Sequence, residues 1–188
     1  MTVQFDKVQS ERDSAVGLRI APTNLLYVIR HADAGDSATW PGDDSLRPLS
    51  DKGERQAGRI AKSKELASIT ELLSSPSLRC RQTVEPLAAR LGLQIVLEDW
   101  LLTGASPLVA FDSLLEQVGA LSDGQSLAAC THGDLLEGFV AGLEQIGAPF
   151  ESAPIVSKGA VIVLEVSDGE VTRVAFRAAP KAHSGASR

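Results

Sequence analysis

A chain of 188 residues with 44 % hydrophobic and 22 % charged residues has material for one domain with a sizeable core, which argues against wholesale disorder. Its net charge of −6 disfavours general nucleic-acid binding, because a polyanion wants a basic face, although a few local arginines can still make one pocket attract an anion. Apolar runs too short to cross a bilayer, an N-terminus without the basic-then-apolar pattern of a signal peptide, and only two cysteines, Cys80 and Cys130, give the expectation of a cytoplasmic protein with reduced, partly buried thiols and no membrane partner.

Residues 1–24 are polar and mixed in charge and read as a loosely attached arm. The run Leu25 to Arg30, apolar and rich in strand formers, reads as a buried strand ending abruptly in charge. Residues 33–49, rich in Gly, Pro, Asp and Ser, read as a long loop. Ser50 can cap a helix running to about Leu66, with Ala57, Ile60 and Ala61 on one side. A second strand covers Glu71 to Ser75 and stops at Pro76. A helix over 77–91 ends at Gly92. Leu93 to Leu97 is a third strand, followed by a loop through Gly104 and Pro107 and a helix near 108–120. Ser126 to Thr131 is a fourth strand, and Gly133-Asp134 opens a helix to about 146. Val161 to Val166 and Val171 to Phe176 form a hairpin about Asp168-Gly169. The tail, 178–188, is expected to be disordered.

Strands alternating with helices predict an α/β fold, a three-layer α/β/α sandwich with a mainly parallel central sheet over residues 25–177. Such sheets bind ligands at the carboxyl ends of their strands. Arg30-His31 follows the first strand, Arg79 comes shortly after the second, and His132-Gly133 follows the fourth. These ends share one edge of the sheet, so two imidazoles and two guanidinium groups can converge there. Arginine presents a fixed charge and a planar fork to phosphate oxygens. A neutral imidazole can accept a phosphoryl group on nitrogen, and a second one can hydrogen-bond the transferring oxygens. The helix opening at Gly133 offers its N–H groups to the same anion. A metal site built from the two histidines with Asp33 or Asp134 is the competing reading, but two arginines beside a cation disfavour it. Trp40 either walls the pocket or anchors the long loop; Arg47 either meets a substrate anion or makes a surface salt bridge.

The pattern resembles the histidine phosphatase (phosphoglycerate mutase-like) superfamily. Its Arg-His-Gly motif corresponds to Arg30-His31-Ala32, its Leu-Ser/Thr-x-x-Gly-x-x-Gln-Ala segment to Leu49 through Ala57, its Ser-Ser-Pro-x-x-Arg-x-x-Gln-Thr segment to Ser74 through Thr83, and its late His-Gly to His132-Gly133. Within the family the chain is similar to short phosphohistidine phosphatases of the SixA type. It is similar also to the histidine phosphatase-like domain of mycobacterial Nudix hydrolases, through Trp40 to Asp44, Arg47-Pro48-Leu49 and Arg79 through Leu87; the chain carries no Nudix box. The resemblance implies a phosphatase that forms phosphohistidine on His31, held by Arg30, Arg79 and His132, without metal or organic cofactor. Its substrate would be a phosphorylated small molecule or a phosphohistidine protein. The family's general acid, a Glu after the third strand, would be Glu98. Ala32 in place of Gly would narrow the pocket floor. A phosphoglycerate mutase would need a substrate platform that so short a chain lacks. The alternative within the fold is a weak or inactive phosphate-binding or dimerisation module.

Overall fold

A computed structural model of the chain describes residues 23–181. The expected arm therefore lies outside the described residues except for positions 23 and 24, which open the first strand. Strand β1 spans Thr23–Arg30. Because successive side chains of a strand face opposite ways, Leu26 and Val28 enter one apolar cluster while Tyr27 and Ile29 enter another. A strand buried on both faces needs a helical layer on each, and the chain supplies them. Helices α1 (Asp51–Ala61) and α2 (Leu78–Leu91) cover one face, and α3 (Pro107–Ala120) and α4 (Gly133–Gln145) the other. Each fully buried Leu or Ile of these clusters contributes about 1.5–3 kcal/mol.

The remaining strands are β2 (Glu71–Ser74), β3 (Ile95–Leu97), β4 (Ser126–Thr131), β5 (Val161–Ser167) and β6 (Glu170–Arg177). They lie in one sheet in the order β3-β2-β4-β1-β5-β6. The first four are parallel neighbours; β5 runs antiparallel to β1, and β6 antiparallel to β5. This is the expected three-layer, mainly parallel architecture, with the hairpin added on the β1 side.

Two local expectations change. The first helix stops at Ala61 rather than near Leu66, with Lys62 as its cap. Leu66 and Ile69 still reach the core, but from turns in which Ser63 and Ala67 N–H bond to Ile60 and Lys64 O. Burial alone therefore kept the apolar rhythm going past the helix end. The expected disordered tail begins with a docked stretch, since Arg59 Nε donates to Pro180 O at 2.7 Å; residues 182–188 are outside the described region. No helix among the described residues is long and apolar enough to cross a membrane.

Candidate active site

Strand register explains why the chemistry gathers at one place. Arg30 pairs with Thr131, and Ser74 with Cys130. The residues that follow, His31, Ser75 and His132, thus leave three adjacent strand ends side by side. The rings of His31 and His132 lie 5.4 Å apart, centre to centre, at 64°. Both are almost wholly buried. With Arg30, Arg47, Arg79, Gly133, Asp44, Thr103, Asp134 and Glu137 they line a cavity of about 310 Å³.

His31 is held in one tautomer. Its backbone N–H bonds Thr131 O, and its Nδ1 lies 2.7 Å from Ala32 O. A carbonyl can only accept, so Nδ1 carries the proton and Nε2 keeps its lone pair. Burial, opposed by the Ala32 hydrogen bond and helped by the adjacent His132, Arg79 and Arg30, pushes the pKa of His31 down to about 3. The ring is therefore neutral near pH 7.

His132 is held the other way. Arg79 Nη2 donates to its Nδ1 at 3.2 Å, so Nε2 bears the proton and donates to Ser75 Oγ at 2.9 Å. Both ring nitrogens are engaged by the protein, which differs from the expected imidazole with a donor free for substrate. Arg79 is further fixed by Asp44, through Nη1 to the backbone O at 2.6 Å and Nη2 to the carboxylate at 3.0 Å. Arg30 reaches Val156 O through Nη1. The Nε atoms of Arg30 and Arg79 are buried without a hydrogen-bond partner among the described residues. Gly133 leaves room for Arg30: a Cβ there would sit 2.6 Å from the guanidinium carbon.

The two central sequence segments read as scaffolding for this floor. Ser50 caps α1 by accepting from Gly53 N–H. Gly53 allows Asp33 O to approach to where a Cβ would lie 1.9 Å away. Gln56 accepts from Asp33 N–H, and Ala57 packs with Ala32, Ala34 and Leu49. Ala32 thus belongs to a core cluster and does not line the cavity, which corrects the expected narrowing of the pocket floor. From α2, Thr83 Oγ1 accepts Ala32 N–H while Gln82 accepts Leu49 N–H.

Other expected site residues separate. Arg47 is buried and lines the cavity, ion-paired through Nε with the half-exposed Asp44 and bonded to Ala34 O, so it joins both expected alternatives, a place in the pocket and a salt bridge. Trp40 folds back on its own loop, with Nε1 donating to Asp43 O, and is not among the residues that line the cavity. Glu98 is likewise absent from the lining. It precedes a 3-10 turn over Asp99–Leu101, with its N–H on Ser74 O, so the expected general acid does not stand at the pocket. The acids that do are Asp44, Asp134 and Glu137. The Arg47 hydrogen bond holds Asp44 below the usual carboxylate range, burial opposing. For Asp134 burial is outweighed by the Gly104 N–H and Thr103 hydroxyl, which hold it low too. Asp33 is engaged by Ser50 and Gly35 N–H and does not line the cavity, while Asp134, which does, is engaged by Thr103 and Gly104. Among the described residues no group of three or more His, Cys, Asp or Glu is arranged to hold a metal ion.

Sequence reasoning missed Ser75, Asp44 and Lys158 as site residues. Ser75 and Asp44 sat inside segments already noted; Lys158 had no local signal. It reaches the site because β5 is antiparallel to β1 and so starts where β1 ends.

Residues 26–102 match the model of the histidine phosphatase superfamily, branch 1. Over 166 residues the chain is 30 % identical to an 8-oxo-(d)GTP phosphatase of Mycolicibacterium smegmatis, covering 86 % of this chain and 50 % of that protein. An uncharacterized protein of Picosynechococcus is 41 % identical over 66 residues, 34 % of this chain and 39 % of that one. The chain thus spans half or less of these curated relatives. Among solved structures, a protein histidine phosphatase SixA complexed with tungstate superposes with a TM-score of 0.62 at 22 % identity, covering 82 % of this chain and 94 % of that one. The phosphoglycerate mutase of Bacillus anthracis gives 0.60 at 15 %, covering 81 % and 92 %. Both likenesses are of fold.

Proposed function

On the premise that the chain is a member of the histidine phosphatase superfamily, we propose that it is a phosphatase in which His31 Nε2 takes the phosphoryl group. The observation that carries this reading is the Nδ1 bond to Ala32 O, which leaves a neutral base aimed away from its own backbone, beside two arginines. Nε2 attacks phosphorus, and the bond from phosphorus to the leaving oxygen or nitrogen breaks. Water then cleaves the N–P bond and releases orthophosphate. Arg30 and Arg79 neutralise the charge on the transferring oxygens. His132 and Asp44 hold the Arg79 guanidinium at the floor, and Gly133 gives Arg30 its space.

Phosphomonoesters, phosphoramidates and phosphoanhydrides all meet this description. The last two are favoured. Glu98 has no place in the cavity and Asp44 and Asp134 are held ionised, so a leaving group that departs readily without an acid from the protein suits the site. The name of the Mycolicibacterium relative points to an anhydride substrate for that protein. We read the chain as a cytoplasmic enzyme that uses no metal. The test is p-nitrophenyl phosphate in the presence of EDTA. Turnover is expected, together with an acid-labile phosphate on the protein, and His31→Ala removes both. Turnover that survives the substitution defeats the reading; intact protein with neither signal on any phosphoester, anhydride or phosphoramidate leaves the binding-module alternative.

A further inference from the structure

Beside the floor cavity lies a second one of about 430 Å³, lined by Arg30, His31, Gly35, Asp36, Ser37, Arg47 and Lys158. The two share Arg30, His31, Ser37 and Arg47, so they are lobes of one site. We propose that the second lobe binds the leaving phosphate of a phosphoanhydride, with Lys158 and Arg47 as its ligands. This rests on the reading of His31 as nucleophile and names the substrate class for it.

Position comes first. Gly159 N–H bonds both Arg30 O, at 3.2 Å, and His31 O, at 3.1 Å. Lys158 is thereby pinned one residue from the backbone that carries the nucleophile. Its neighbour Gly159 adopts φ +77°, a conformation natural to glycine.

Charge separates the lobes. In the floor, the cations Arg30, Arg47 and Arg79 face the acids Asp44, Asp134 and Glu137. The second lobe is lined by Arg30, Arg47 and Lys158 with Asp36, while Asp44 pairs with Arg47 at 2.7 Å and Asp33 lies 3.7 Å from Lys158 Nζ. The lining itself thus presents three cations and one acid on the Lys158 side, against three of each in the floor. Donors are available there. Arg47 is 7 % exposed; its Nε and Nη1 are bonded, and its Nη2 has no acceptor among the described residues. Lys158 Nζ donates to Gly35 O at 3.0 Å and meets Asp33 only at 3.7 Å. An ammonium has three donors, so one remains for a ligand. The volume falls within the roughly 300–1,000 Å³ range of small-molecule pockets.

The chemistry agrees with the contents of the floor. His31 Nε2 attacks the terminal phosphorus, and the bond from that phosphorus to the bridging oxygen breaks. The oxygen keeps the electron pair and leaves as the shortened phosphate, held by Lys158 and Arg47. Water then breaks the N–P bond, giving orthophosphate and a proton and restoring neutral His31. No acid is needed for the departure.

The experiment compares ADP with p-nitrophenyl phosphate in wild type, Lys158→Met and Lys158→Arg. Lys158→Met is expected to raise KM for ADP roughly tenfold more than KM for p-nitrophenyl phosphate, the scale of one lost charged contact. Lys158→Arg restores most of the ADP KM. An equal shift on both substrates overturns the inference, as does an ADP KM that does not move. Wild-type enzyme that turns over p-nitrophenyl phosphate but not ADP also overturns it while the phosphatase reading stands. Failure on both substrates, without phosphate on His31, defeats the two together.

Discussion

At the floor of the site, His31, His132, Ser75 and Arg79 are buried and bonded to strand ends, to a helix first turn or to one another. At the rim, Asp36, Ser37, Thr103, Asp134 and Glu137 are exposed and stand on loops or the outer side of α4. The floor's geometry is inseparable from the sheet: to move a ring is to move a strand. The rim can change without touching the core. The floor therefore sets the reaction, and the rim sets what arrives with the phosphoryl group. If that division holds, floor substitutions should cost orders of magnitude in rate on every substrate, and rim substitutions should act on one substrate at a time.

The largest effect is expected from His31→Ala, a loss of at least about 10³ in kcat, read as initial rate and as loss of acid-labile phosphate. Next is Gly133→Ala. Its methyl would meet the Arg30 guanidinium at 2.6 Å, and that group cannot retreat without leaving Val156 O. A fall of roughly 10–100-fold in kcat/KM is expected on every substrate tested, since binding and transition state both lose Arg30. Thermal unfolding should shift far less. A drop confined to one substrate would mean that Gly133 belongs with the rim.

The floor was legible in the sequence because its residues sit at fixed offsets from strand ends, and a parallel sheet brings those ends together. Arg30, His31, Arg79 and His132 were found this way. What the sequence could not show is how side chains share partners. Asp44 is one of two adjacent acids in a loop, and only the fold puts it between Arg47 and Arg79. Lys158 lies about 25 positions beyond His132, and an antiparallel strand brings it back beside His31. Glu98 failed for a related reason: distance along the chain from β3 says nothing about where the following 3-10 turn aims a carboxylate.

Acid sensitivity sharpens the comparison from the side of stability. Buried His31 has its folded pKa at about 3, below the ordinary imidazole value, so between these values the unfolded chain takes up a proton that the native site refuses. The native advantage is full above about pH 6.5 and is lost as pH falls toward 3, on the order of 5 kcal/mol over the whole window. Urea unfolding of wild type and His31→Asn at pH 7, 5.5 and 4 should show a steeper decline for wild type. Parallel curves would mean that the ring is solvated and that Nε2 is an ordinary imidazole.

The smallest effect is expected from Glu98→Gln, a change in kcat of less than about twofold on p-nitrophenyl phosphate and on ADP alike, because a carboxylate outside the cavity cannot reach the leaving oxygen within the ≈ 3 Å that proton transfer needs. The discriminating case is a substrate with a poor leaving group, such as an alkyl phosphate, for which a proton donor matters most. If Glu98→Gln slows the alkyl phosphate selectively, the loop after β3 must swing its acid over the floor during turnover. If the alkyl phosphate is slow in both proteins to the same degree, the site works without that acid, and its preference is set by how readily the leaving group departs and by the cations waiting at the rim.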